Sequence, residues 1–128
     1  MKRKLKVLTS FLLVFVMCFG ILLTSASAAA TYTYTKADYL DAYNQYFSGY
    51  PNVSYGSTGV YVEYCQSLLS WAGFYNGEIS GKFDSATQAA VREAQRATYS
   101  SKHDIYFEAI SADGICGPYT WGKLVLME

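Results

Sequence analysis

Apolar positions change their rhythm along this chain. From Leu5 to Leu23 they run almost unbroken, interrupted by Lys6, Thr9, Ser10 and Gly20. Beyond Thr35 they recur at helical intervals. Thr35-Lys36-Ala37-Asp38 reads as a capping box with Thr35 at the N-cap. Leu40, Tyr43 and Phe47 then form an apolar stripe, with Tyr39 and Tyr46 beside it, and predict a helix over 36–47. Gly49 and Pro51 end that helix. Val62, Cys65, Leu69 and Ala72 form a second stripe. They predict a helix that starts near Gly59, is capped by Ser57 or Thr58, and closes at Gly73. Asp84 is the N-cap of a third helix, whose small inward residues Ala90, Val91, Ala94 and Ala97 imply close approach to a neighbour. Pro118 opens the last helix and places Trp121, Leu124 and Val125 inward. Thr31 to Thr35 alternates like a strand but is too short and terminal to count as one. Residues 98–108 show no period and read as a loop with a short turn of helix. The pattern as a whole predicts an all-α domain.

Two segments share one plan. In "ISGKFDSAT" (79–87) and "ADGICGPYT" (112–120) an x-Gly turn leads through two residues to a helix cap, Asp84 or Gly117. A threonine follows three positions after each cap. Phe83 and Cys116 hold equivalent places and should plug inward while a capped helix leaves at a fixed angle.

The first 30 residues fit neither rhythm. Lys2, Arg3, Lys4 and Lys6 open the chain, the apolar run follows, and "TSASAAA" closes it. A basic start, an apolar middle and an A-x-A end make a secretory signal peptide. Ala26-Ser27-Ala28 places cleavage near Ala28–Ala30, and the mature chain outside the cytoplasmic membrane. An uncleaved membrane anchor is the alternative reading of the same run. The chain therefore divides into a signal peptide (1–29), an N-terminal helix with linker (30–52) and a main domain (53–128).

Removing the leader alters the charge. The full chain of 128 residues has ten Lys and Arg against ten Asp and Glu, and four of the basic residues lie in the leader. The mature chain keeps six against ten, a formal charge of −4. That disfavours nucleic acid as a partner, and after cleavage nothing in the pattern calls for a membrane. All 13 tyrosines and both tryptophans remain. A domain of about a hundred residues cannot bury so many rings in full. Exposed tyrosines supply stiff amphipathic surface for sugars or peptides. Cys65 and Cys116 also remain, and in an oxidising compartment they are expected to form a disulfide. Two buried free thiols are the alternative.

The stretch from Gly56 to Leu124 resembles the peptidoglycan-binding type 1 module. The residues that carry the resemblance are Gly56-Ser57-Thr58-Gly59, Val62, Gln66 with Leu68-Leu69, and Gly73-Phe74-Tyr75 with Gly77. Phe83, Thr87, Ala90-Val91 and Gln95 continue it, and Asp113-Gly114-Ile115, Gly117-Pro118 and Thr120-Trp121 complete it. Ser80, Asp84, Ala94 and Cys65 depart from the family's usual residues, and the loop 98–112 is longer. The resemblance implies a small three-helix bundle, here preceded by an extra helix. It also implies non-catalytic binding to cell-wall peptidoglycan. The family usually appends this module to wall hydrolases; this chain is expected to act as a stand-alone secreted binder.

The sequence supplies little for catalysis. His103 is the one histidine, too few for a zinc site that takes three or four ligands. Neither a metal nor a cofactor is expected. A Cys–His pair would need Cys65, which the helical stripe buries, or Cys116. A carboxylate pair, Glu78 with Asp113, is the remaining enzymatic candidate. The expected ligand surface is Tyr75, Asn76, Ser80, Asp113 and Tyr119, on or beside the two turns. A protein-interaction module regulating a cell-wall hydrolase is the second reading, and a small wall hydrolase the third.

Overall fold

Helix α1 (Lys36–Tyr46) begins where Asp38 accepts hydrogen bonds from the Thr35 N–H, at 2.8 Å, and the Thr35 hydroxyl, at 3.1 Å. The computed structural model describes residues 32–128, so the signal-peptide reading of 1–29 lies outside the described residues. Three further helices follow: α2 (Val60–Trp71), α3 (Ser85–Arg96) and α4 (Pro118–Leu126). α3 and α4 start where their signals place them, while α2 has Gly59 at its N-cap in place of Ser57 or Thr58, and the Ser57 hydroxyl accepts from the Ser54 N–H at 3.1 Å. Asp84 caps α3 by accepting from the Thr87 N–H at 2.9 Å. Pro118 takes the first position of α4, where a missing N–H costs nothing.

The inward faces meet in one core. Val62, Cys65, Leu69, Val91, Trp121 and Leu124 are fully buried within it. The Trp121 indole N–H donates to the Pro51 carbonyl at 3.1 Å, so the core's largest ring has its polar edge satisfied. Helix α1 is integral to this packing, since Tyr34–Glu128 form one compact unit. Where α1 crosses α4, Gly122 lies so close to the Tyr39 carbonyl that a Cβ would overlap it.

Three expectations need correction. The buried line of α1 runs through Tyr39 and Ala42, while Leu40 is 37% exposed. The stripe is rotated because the Tyr39 backbone seats directly on Gly122 of α4. Val125 is only half-buried, because it lines a surface groove with residues of α1 and α2. The domain is also not strictly all-α. Strands β1 (Thr33–Tyr34), β2 (Tyr99–Ser100) and β3 (Ile105–Phe107) form a small sheet in the order β1-β3-β2. β2 and β3 make an antiparallel hairpin with Tyr99 opposite Tyr106, their rings 4.9 Å apart. The Tyr99 hydroxyl closes the turn on Asp104 at 2.9 Å. Runs of two and three residues are too short to show the alternation that marks a strand. The hairpin occupies the long loop between α3 and α4, and Phe107 anchors it by burial.

Candidate functional site

Both repeated turns are built around a buried glutamine. On α2, Gln66 Oε1 accepts from the Gly81 N–H at 3.0 Å. Its Nε2 donates to the Lys82 carbonyl at 3.0 Å and to Thr87 Oγ1 at 3.1 Å. On α3, Gln95 repeats the arrangement. Its Oε1 accepts from the Gly114 N–H at 3.1 Å, and its Nε2 donates to the Ile115 carbonyl and to Thr120 Oγ1, both at 3.0 Å. Each glutamine thus joins one helix to the turn and first helical residues of the next. Gly81 and Gly114 stand at φ +72° and +76°, a region where a side chain would strain the backbone. The turns are tied on their other side as well. Phe83 exchanges backbone hydrogen bonds with Gly56 and Ser57, and Cys116 with Val53.

The two turns differ at several exposed positions, and one of them bears on the site. Ser80 stands where the second turn has Asp113. Asp113 Oδ1 accepts from Gln95 Nε2 at 2.8 Å and from the Ile115 N–H at 2.9 Å. These contacts fix the carboxylate at the mouth of a groove of about 460 Å3. Asn52, Ile110, Ile115, Pro118 and Tyr119 line the groove, and Lys36 stands at its edge, 3.9 Å from the Glu108 carboxylate. The volume is within the range of small-ligand clefts, roughly 300–1,000 Å3. One cation, one anion, two amides and a 45%-exposed tyrosine ring share this lining with Ile110, Ile115 and Pro118.

The structure divides the five expected ligand residues. Asp113 and Tyr119 line this groove together. Asn76 and Ser80 are exposed on the first turn and do not line it. The Ser80 hydroxyl is occupied locally, accepting from the Lys82 N–H at 3.2 Å. Tyr75 is 6% exposed, and its hydroxyl donates to the Glu78 carbonyl at 2.7 Å, so its ring belongs to the core. Lys36, Asn52 and Ile110 escaped the sequence reading. They reach the groove from three separate segments, and no local pattern links them.

Cys65 and Cys116 do come together in the core, both buried, but as free thiols. Burial, and then the neighbouring Cys65 thiol, push the Cys116 thiol well above its ordinary range. Both side chains are fully buried, so neither thiol is accessible to a substrate.

The family comparison converges on the same elements. Residues 58–98 match the model of the family described as "Putative peptidoglycan binding domain". The match takes in α2, the first turn and α3, and with them Gln66, Phe83, Thr87 and Gln95. Among solved structures, the crystal structure of the Burkholderia AP3 phage endolysin aligns at 34% identity and a TM-score of 0.47. That alignment covers 58% of this chain and 24% of the endolysin, so the chain spans about a quarter of that protein's length. No curated protein is significantly similar to the chain.

Proposed function

We propose that this protein is a secreted, non-catalytic binder of cell-wall peptidoglycan, and that the groove beside the second turn is its contact site. The observation that carries the reading is the peptidoglycan-binding family match over 58–98, whose Gln95 holds the turn at the groove mouth. The groove's chemistry supports it. Asp113 and Lys36 offer opposite charges to a peptide that carries both amine and carboxylate, and Asn52 and Tyr119 add hydrogen-bonding edges. Asp113 is held by two donors, which suits a fixed acceptor better than a group that must gain and lose a proton. Secretion rests on the basic, apolar and small-residue succession of residues 1–30.

Sedimentation with insoluble peptidoglycan tests the proposal. Wild-type protein should pellet with the wall. Tyr119→Ala and Asn52→Ala should each weaken retention about ten-fold, the loss expected of a central contact worth roughly 1–2 kcal/mol. Full retention of both variants, shown by circular dichroism to be folded, would move the site elsewhere. Release of soluble sugars or peptides by the wild-type protein would make it a hydrolase.

A further inference from the structure

Most of the exposed aromatic surface lies away from that groove. Tyr64, with Ser67, Leu68 and Trp71 three, four and seven residues further along α2, forms a second stripe beside the buried one. Tyr46, Phe47 and Tyr50, from the end of α1 and the segment after it, face them. With Val125 these residues line a second groove of about 370 Å3. Trp71 is 66% exposed, Tyr46 51% and Tyr64 45%. An isolated exposed ring is ordinary, but several rimming one depression mark a contact surface.

The rings are held in place before any ligand arrives. Tyr50 stacks on Tyr64 at 5.9 Å with 21° between planes, touches Phe47 at 5.0 Å, and meets buried Trp121 edge-on at 5.3 Å. The Tyr43 hydroxyl donates to the Tyr50 carbonyl at 2.9 Å. Lys102 donates to the Trp71 carbonyl at 3.2 Å and lies 5.8 Å from the indole centroid. A ligand that docks here pays little to order these side chains.

Charge and chemistry narrow the occupant. Glu128 is the one charged residue that lines the groove, and no lysine or arginine does. Lys102, beside the Trp71 ring, offsets that carboxylate, so the groove as a whole suits a neutral ligand. The lining combines aromatic rings with the hydroxyls of Tyr46, Tyr64 and Ser67. A pyranose ring has the matching pattern, an apolar C–H face and a polar rim. Its C–H hydrogens suit the negative face of an aromatic ring, and its hydroxyl and acetamide groups can donate to the Glu128 carboxylate. We propose that this groove binds neutral N-acetylated sugar units of the wall glycan. It would be a second contact, separate from the groove at Asp113 and Tyr119. This inference rests on the wall-binding reading and adds its glycan component.

The test is titration of the purified protein with a tetramer of N-acetylglucosamine, followed by calorimetry and by tryptophan fluorescence, alongside wall sedimentation. Trp71 is exposed in this groove, so an emission change that Trp71→Ala abolishes reports it. The expected result is saturable binding by wild type, weakened about ten-fold or more by Trp71→Ala and by Tyr64→Ala. Tyr119→Ala should leave it unchanged. Circular dichroism checks that each variant folds. Wild type that sediments with wall but ignores the tetramer at millimolar concentration overturns this inference and leaves the wall reading intact. Failure of both assays overturns both. Tetramer binding that survives both groove substitutions places the sugar site elsewhere and overturns the proposal. A dimer that Trp71→Ala dissolves, with no response to sugar, gives the groove to a second copy and equally overturns it.

Discussion

At the scale of single residues, two glutamines and one lysine show how polar groups organise this small core. Gln95 is 1% exposed and joins α3 to the turn at Gly114 and to Thr120. Removing its amide orphans the buried Gly114 N–H, at roughly 1–3 kcal/mol, and leaves the Thr120 hydroxyl only its long bond to the Ile115 carbonyl, at 3.4 Å. Gln95→Ala should therefore lower the unfolding free energy by about 3 kcal/mol, measured by urea denaturation. It should also loosen Asp113, so wall retention should fall even at temperatures where the variant stays folded. A loss below about 0.5 kcal/mol would mean that the turn holds itself without the glutamine.

At the scale of elements, the junction of α1 and α4 is decided by Gly122. Glycine in a helix costs about 1 kcal/mol against alanine, so an isolated α4 would favour Gly122→Ala. In the folded protein the added Cβ would collide with the Tyr39 carbonyl, which is backbone and cannot swing aside. The two helices must separate, and Tyr39, fully buried with its hydroxyl 2.6 Å from the Glu108 carbonyl, would lose its seat. Gly122→Ala should destabilise by at least the 1–3 kcal/mol typical of overpacking. Thermal unfolding checks the sign: a higher melting temperature would mean that α1 is dispensable to the fold.

At the scale of the whole molecule, Lys123 links four regions. It is 1% exposed, and its ammonium donates to the carbonyls of Gln95, Ala97 and Glu108 at 3.0, 2.7 and 3.1 Å. It closes the C-terminal end of α3, as a cation there should. It also lies 5.6 Å from the centre of the Tyr39 ring on α1. Burial brings its pKa down to about 8, partly opposed by the Glu108 carboxylate. A base whose folded pKa is below its unfolded value binds more protons when unfolded across the interval between the two. Stability therefore rises with pH from about 8 toward 10.5, by at most about 3 kcal/mol at 1.36 kcal/mol per pH unit. The Cys116 thiol, raised by burial, works the other way above about pH 9, and the Tyr39 hydroxyl, raised by burial and then by Glu108, does so at higher pH still, so the difference between wild type and a Lys123 variant isolates the lysine. Urea melts between pH 7 and 9.5 should show the rise in wild type and lose it in Lys123→Met. A flat wild-type profile would mean that the three carbonyls keep the ammonium fully charged.

The local signals of the sequence determined where the helices begin and what shape the turns take. Thr35, Asp84 and Pro118 act on the backbone within one helical turn, and Gly81 and Gly114 act on their own φ, so these features need no distant partner. The repeat from 79–87 to 112–120 was legible for the same reason, and the glutamines that serve it stood in the family pattern. Only the tertiary structure decided which face of α1 is buried, because that depends on the close approach of Gly122 to Tyr39 from the far end of the chain. It also placed a lysine inside the core, since the carbonyls that satisfy Lys123 come from α3 and the segment before the second turn. It took Tyr75 out of the expected surface and brought Lys36 and Asn52 to Asp113 and Tyr119. A groove is made of residues distant in sequence, and periodicity carries no information about which distant residues meet.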